Sequence, residues 1–483
     1  MKLKKMISLT TCMMTIMTIL IGCNNHKITR EQPSIANQVV TLKYYTIGTK
    51  PDDYQEVINE VNDYLEDKIN VNLDITFFDF NDYSQKLSVV INSLEPFDLA
   101  FTCSWAGDYL NNARKGAFLE LDSYLDTIGK EMKEAIDYRF WDGTKVDGKI
   151  YAVPTQKELG IAPMWAFTKE YVDKYHIPFE EIHALEDLEP WLQLIKENES
   201  HVIPLYVTKG FSYSMFFDEI VGSVGILLKD ENDLQVVNLF ETEEMKKTLS
   251  ILRRYYEAGY INLDSATAQD DRSVKRFVTK GDGQPYVSEI WSENLGYSVV
   301  TSSITSTWIT NASTTESMVA ISSYSKNKEK AIKFLNLLNT DPIIRNLLNY
   351  GLEDIHYEKI DDNRIKLINK KAYDVPYFSL GNLFITYVTE NEPDTKWEEF
   401  KVFNNESKNS PILGFKFDSS SVSKEVAAIE NVLEEFEAIL YSGSVDVDEY
   451  LEKLNHKLKQ QGIDKIIEEA QKQLDEWASS KSS

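Results

Sequence analysis

The stretch from Val39 to Thr102 alternates between two hydrophobic periods, and this constrains the fold more than any other feature of the chain. Val39-Val40-Thr41-Leu42-Lys43-Tyr44-Tyr45 is a β-rich run, and Val71 to Phe78 and Phe97 to Thr102 read as further strands. Between them, Tyr54, Val57, Ile58, Val61 and Leu65 recur at helical spacing, as do Leu87, Val90 and Ile91. Pro51-Asp52-Asp53 and Asp82 supply the helix starts. Strand–helix–strand–helix–strand in so short a span needs crossover helices over a parallel sheet, so the fold class is α/β. The length of 483 residues predicts two or three domains with large cores.

Further along, Asp147-Gly148 lies between Thr144-Lys145-Val146 and Lys149-Ile150-Tyr151-Ala152-Val153, the pattern of a hairpin around a type I′ turn. Helices are predicted around Lys169–Tyr175, Leu185–Lys196 and Met245–Tyr256, and a strand over Met318–Tyr324. Asp341-Pro342 opens another helix, with Asp at the N-cap and Pro at the first helical position, and Gly351 ends it. The C-terminal portion is helical, with apolar residues at Val426–Leu440, Tyr450–Leu458 and Ile463–Trp477 separated by Gly443 and Gly462. The polar face of the last of these carries Glu468, Glu469, Asp475 and Glu476, which opposes a membrane-lying segment, so it is expected to pack on the body.

The beginning of the chain predicts a compartment. Lys2, Lys4 and Lys5 precede an uncharged apolar stretch, Met6 to Ile21, and then Leu20-Ile21-Gly22-Cys23 gives way to polar Asn24-Asn25-His26-Lys27. The stretch is short for a spanning helix and reads as a secretory signal. The Leu-x-Gly-Cys box resembles that of bacterial lipoproteins, where the cysteine becomes the acylated N-terminus. Residues 1–22 are then a cleaved signal, and residues 23–38 a flexible tether lipidated (as with palmitate) at Cys23. The net charge of −26 becomes about −29 on the processed chain. Cys12 is discarded, and Cys103 has no partner for a disulfide, which fits a Gram-positive cell surface. The acidic balance argues against nucleic acid and against electrostatic docking on an anionic membrane.

Motifs for catalysis are missing. Gly210-Phe211-Ser212-Tyr213-Ser214 fails the nucleophile-elbow pattern at its last position, and neither a phosphate-cradling loop nor His-Glu-x-x-His occurs. No metal or cofactor is implied. Paired carboxylates for glycoside hydrolysis leave no sequence signature, and Asp79, Asp108, Glu158 and Glu289 are candidates near element ends. Aromatic residues near element ends carry more information. Trp105 follows the third strand, Trp291 follows Tyr286–Ile290, Trp308 precedes the strand at Met318, Trp165 follows the hairpin, and Tyr377 follows Pro376. Flat rings suit the apolar faces of pyranoses, and Asp79, at the end of the second strand, is placed to orient hydroxyls. Core packing and turn capping are the ordinary alternatives for these residues.

Three blocks resemble the sugar-binding family 1 group of extracellular solute-binding proteins of bacterial ABC importers. They are Glu95-Pro96-Phe97-Asp98-Leu99-Ala100-Phe101-Thr102, Asp147-Gly148-Lys149-Ile150-Tyr151-Ala152-Val153-Pro154, and Ser325-Lys326-Asn327-Lys328-Glu329-Lys330-Ala331-Ile332-Lys333-Phe334-Leu335. Asn339–Glu353, Gly443–Asp446 and Gly462–Asp475 are similar to a subgroup with an extra C-terminal domain of undefined function. The resemblance implies two α/β lobes of a periplasmic-binding-protein-like fold, closing by hinge motion on a carbohydrate. The first lobe is expected at 39–155 plus 315–385, and the second at 156–314 plus 386–478 with the C-terminal helices. It further implies a monomer that is not an enzyme, held to the outer face of the membrane only through Cys23. Its partners would be the sugar and the importer's membrane subunits. The ligand-binding residues expected are Asp79, Trp105, Trp165, Trp291, Trp308 and Tyr377. A lipid-anchored glycoside hydrolase, or a surface binder of a peptide or other solute, is the alternative.

Overall fold

The computed structural model describes residues 38–229 and 233–481; Cys12, Cys23, the signal and nearly all of the tether lie outside the described residues. The predicted alternation is present. Strands β1 (Val40–Ile47), β2 (Val71–Phe78), β3 (Leu99–Thr102) and β4 (Ala152–Pro154) join a later strand, β13 (Met318–Ile321), in the order β2-β1-β3-β13-β4. β1 is parallel to β2, with Val40 opposite Val71, and parallel to β3, with Tyr44 opposite Leu99. The helix Tyr54–Ile69 crosses between β1 and β2 and buries Tyr54, Val57, Ile58, Val61 and Leu65, the residues its 3.6 period places on one face.

A second sheet has the order β11-β5-β10-β6. It is built from β5 (Ala162–Thr168), β6 (Ile203–Leu205), β10 (Arg276–Gly283) and β11 (Val299–Ser303). Between its strands, β7 (Phe217–Val221), β8 (Val224–Leu227) and β9 (Val236–Asn238) form a small antiparallel sheet. β12 (Trp308–Ile309) precedes β13 (Met318–Ile321), and β14 (Tyr357–Lys359), β15 (Arg364–Leu367) and β16 (Val388–Thr389) make a third antiparallel and parallel mixture. β17 (Lys408–Asn409) pairs in parallel with β12.

Two large hydrophobic cores result. One gathers residues such as Leu42, Val61, Leu99, Phe334 and Leu348 around the first sheet. The other gathers Trp165, Leu192, Leu249, Phe277 and, from the C-terminal helices, Ile429, Leu454, Ile466 and Leu474. The chain passes between these cores three times. Leu159 belongs to the first and Trp165 to the second; Ile304 belongs to the second and Ile309 to the first. At the third passage Ile412 and Phe415 enter the second core while Leu413 enters the first. The passages meet in one ribbon, where Trp308 pairs with Ile161 and with Lys408.

Helices Ser423–Tyr441, Val447–Gln460 and Ile463–Lys481 pack on the second core as their periodicity predicts. Asn455 donates to Phe240 O at 2.8 Å and Val236 N donates to Gln471 at 2.8 Å, fastening them to that side. Asp341 caps the helix Pro342–Tyr350 by accepting from Ile343 N at 2.9 Å, as its position before proline foretold. Two local expectations are corrected. The hairpin is reduced to one bridged pair, Val146 with Lys149, because Tyr138–Thr144 is a helix that buries Phe140 and Trp141. The turn itself has the expected positive φ at Asp147 (50°) and Gly148 (80°). Residues 287–295 are a helix (Val287–Leu295), so Trp291 lies within a helix and not after a strand.

Candidate functional site

The topology of the first sheet sends several loops to one edge. β1, β2, β3 and β4 run in the same direction and β13 runs against them, with Met318 opposite both Thr102 and Pro154. The residues after β2 (Asp79, Phe80), after β3 (Cys103–Trp105) and after β4 (Thr155–Glu158) therefore meet those just before β13 (Glu316, Ser317). In an open α/β sheet this carboxyl-end edge is where ligands bind.

An exposed aromatic surface occupies that edge. Phe80 is 52% and Trp105 50% exposed, their planes are 8° apart and their centroids lie 6.4 Å apart. Phe378 packs on both at 6.4 Å, and Tyr377, 48% exposed, stands edge-on to Phe378 at 6.0 Å. Large aromatics left in water next to one another cost hydration free energy that a soluble protein normally avoids, so such a patch marks a binding surface. Trp105 is aimed by its indole N–H, which donates to Glu316 O at 2.9 Å. Asp79 accepts from Thr49 Oγ1 at 3.2 Å, its carbonyl accepts from the backbone of Asp82 and Tyr83, and its side chain is exposed beside Phe80. Capping the turn and facing solvent are thus combined in one residue.

A buried cation lies below the aromatic surface. Lys157 Nζ, nearly inaccessible, donates to Glu158 Oε1 at 2.7 Å and to Glu316 Oε2 at 2.8 Å. Burial acts to lower its pKa, but the two carboxylate charges and their hydrogen bonds outweigh it and leave the ammonium above its usual range. The carboxylates are partly exposed, and each keeps a second oxygen to accept hydroxyl donors.

The loop carrying Tyr377 and Phe378 is held by its carbonyls. Arg345, with no exposed surface, donates Nη2 to Tyr377 O at 3.0 Å, Nε to Asn382 O at 3.1 Å and Nη1 to Asn349 Oδ1 at 3.0 Å. Burial pulls its pKa down to about 9, which still leaves it charged at neutral pH. Ser317 Oγ donates to Phe378 O at 2.5 Å. Cys103 is buried at the base of the Trp105 loop, where desolvation pushes its thiol up to about 12 and keeps it unreactive. Asp98 accepts from Lys43 N, Ser325 and Asn327, tying the sheet to the helix Lys328–Thr340.

The structure thus brings together Asp79, Trp105 and Tyr377 and separates the other aromatics from them. Trp165 has no exposed surface, stacks on Tyr213 at 5.8 Å and donates to His183 O at 2.8 Å within the second core. It offers no ring face to a solute. Trp291 lies across β10, where a Cβ on Gly281 would sit 2.5 Å from its ring, so glycine is required there for the close approach. Trp308 is in the inter-core ribbon with Lys408 Nζ 5.6 Å above its ring. Phe80, Phe378, Lys157, Glu316 and Arg345 were not singled out from the sequence. Phe80 has the same signal as Trp105, an aromatic just past a parallel strand; Phe378, Lys157 and Glu316 are brought in by pairings across more than a hundred residues, and Arg345 by bonds to a loop more than thirty residues on. Among the described residues no group of side chains is arranged to hold a metal, and no helix is long and apolar enough to cross a membrane.

Comparison with known proteins gives the chain a family and relatives. A family model described as bacterial extracellular solute-binding protein matches residues 60–352, and one described as a domain of unknown function (DUF3502) matches residues 411–479. The chain is 34% identical over 478 residues to a carbohydrate ABC transporter substrate-binding protein of Streptococcus pneumoniae serotype 4 (strain ATCC BAA-334 / TIGR4), covering 96% of each. It is 34% identical to the crystal structure of the N-glycan transport solute binding protein (NgtS) from Streptococcus pneumoniae, with a TM-score of 0.85 over 91% of this chain and 99% of that one. The same S. pneumoniae protein in complex with Man5GlcNAc gives 35% identity and a TM-score of 0.72, again covering 91% and 99%.

Proposed function

Since the chain belongs to the family of bacterial extracellular solute-binding proteins, we propose that it captures an oligosaccharide between its two lobes and delivers it to an ABC importer. The observation that carries this reading is the exposed surface of Phe80, Trp105 and Tyr377, joined by the half-buried Phe378, at the carboxyl ends of the first sheet. Aromatic faces bind the apolar C–H faces of pyranose rings, and Asp79, Glu158 and Glu316 accept from the hydroxyls at their edges. The relatives named above are described as N-glycan and carbohydrate binders, so an N-glycan of mannose and N-acetylglucosamine is the ligand we assign. Trp291 and Trp308 complete the site from the second lobe and the hinge on closure, whereas Trp165 is structural.

We keep the expected lobes but assign residues 156–159, 309–314 and 386–406 to the first, whose core holds Leu159 and Ile309. Asn404 of the helix Lys396–Glu406 donates to Lys157 O and accepts from Leu159 N, and its carbonyl accepts from Arg139. The protein does no chemistry on the glycan. Retaining hydrolysis needs one carboxyl group free to give its proton to the leaving group; Glu158 and Glu316 each instead accept a hydrogen bond from Lys157 Nζ, at 2.7 and 2.8 Å. The protein is anchored outside the cell by lipid on Cys23 and works as a monomer.

The test is calorimetric titration with Man5GlcNAc, with neutral oligosaccharides of other composition and with a peptide pool, alongside chromatography of each glycan after incubation. Saturable binding of an oligosaccharide without cleavage is expected. Cleavage, or binding of peptides only, would overturn the reading.

A further inference from the structure

The last helix of the C-terminal region does more than fill the second core. Its final turns come back to the third passage between the lobes. Asp418 N donates to Gln473 Oε1 at 2.8 Å and Gln473 Nε2 donates to Asp418 O at 2.9 Å, a two-way bond to one backbone unit. The Trp477 ring packs on Phe415 with centroids 5.7 Å apart. Lys481 Nζ lies 4.0 Å over that indole and donates to Leu413 O at 3.1 Å.

The first lobe grips the same stretch from its own side. Arg114 donates Nη1 to Phe417 O at 3.1 Å and Nη2 to Lys416 O at 3.3 Å. Its guanidinium also pairs with Asp147 at 3.3 Å and lies 3.8 Å from Asp418. Asn311, on the second passage, accepts from Gly414 N and donates to Ile412 O, each at 2.8 Å. Residues 412–418 are therefore bonded through their backbone to both bodies at once. A rotation of one lobe against the other has to pull Arg114 away from carbonyls that the last helix holds still. Arg114 is also the final residue of the helix Tyr109–Arg114, which begins just past the Trp105 loop, so the ligand surface and this joint share one rigid element.

We propose that the C-terminal helices function as a hinge brace, holding the third passage where Arg114 can grip it and so keeping the lobes apart until a solute draws them together. The proposal rests on the reading of the molecule as a two-lobed binder that closes. It assigns a task to the region matched by the model of unknown function, and it makes the apparent affinity for the glycan depend on residues that never touch it. When the binding-competent form is a minor population, loosening what holds the other form raises apparent affinity in proportion.

The experiment uses the full chain with spin labels at Glu60→Cys on the first lobe and Glu197→Cys on the second, read by pulsed electron resonance, and Man5GlcNAc affinity measured in parallel. Arg114→Gln and Gln473→Leu are each expected to shorten the mean ligand-free spacing and to tighten glycan binding about three-fold. Lys472→Ala, an exposed neighbour on the same helix, should change neither. Lys481→Ala is the milder variant should either of the first two fail to fold. Unchanged or longer spacing in folded variants, with unchanged or weaker binding, overturns the brace. If the unmodified chain binds no glycan, the reading of function fails by itself, and the ligand-free spacing of the variants still decides the brace.

Discussion

Trp105 and Trp165 sit close to strands in sequence, and the two sheets treat them in opposite ways. Trp165 is inside β5, where alternation turns it and Phe167 to the core face, and its one polar atom is used on His183 O. Trp105 lies past the end of β3, in a loop whose backbone is tied to Ala106 and Thr315, and its ring stays half in water. Being near a strand says little about an aromatic residue. Being just beyond the carboxyl end of a parallel strand says much more, because nothing in the sheet can cover it.

The largest effect expected from this contrast is in stability. Trp165→Ala leaves a cavity in the second core and should cost about 3–5 kcal/mol in urea unfolding. Trp105→Ala should cost less than about 1 kcal/mol, as surface substitutions usually do. Equal losses would erase the distinction. Next is Arg345→Met, which strips the donor from two loop carbonyls, Tyr377 O and Asn382 O, and should cost roughly 2–3 kcal/mol. It should also weaken glycan binding by loosening Tyr377 and Phe378, with partial recovery in Arg345→Lys. Full binding by a folded Arg345→Met protein would show that the loop positions itself.

A smaller effect belongs to the second lobe and has the opposite sign. Burial raises the pKa of Asp218 from 3.8 to about 6, against the pull of its hydrogen bond from Ser410. The folded form holds the proton more tightly than the unfolded chain does, so ionised Asp218 lowers stability at neutral pH. That penalty is relieved as pH falls through 6 toward 3.8. Asp218→Asn keeps an acceptor for Ser410 and should be more stable than the parent by about 1–2 kcal/mol at pH 7.5, with the gap closing by pH 4 in thermal melts. A gap independent of pH would contradict this.

The sequence was most legible where one period repeats without interruption. β1 to β3, their crossover helices, the Asp341 cap and the C-terminal helices all follow from local pattern. The Asp147-Gly148 turn was readable, but the hairpin around it was not, since Phe140 and Trp141 gain more by burial from a helix. Val287-Ser288-Glu289-Ile290 is too short for its apolar period to tell strand from helix. In the candidate site, Asp79, Trp105 and Tyr377 could be singled out because they follow a strand or a proline. The Lys157 ion pairs span one residue to Glu158 and 159 to Glu316, and the longer one leaves no trace in local sequence.

The central claim is that the first-lobe aromatic surface binds an oligosaccharide. Its most direct test is calorimetric titration of the intact chain and of Trp105→Ala with Man5GlcNAc, each checked by thermal melting. Saturable binding by the parent and at least about ten-fold weaker binding by the variant, at nearly unchanged stability, are expected. No binding by the parent, or equal binding by both, would contradict it.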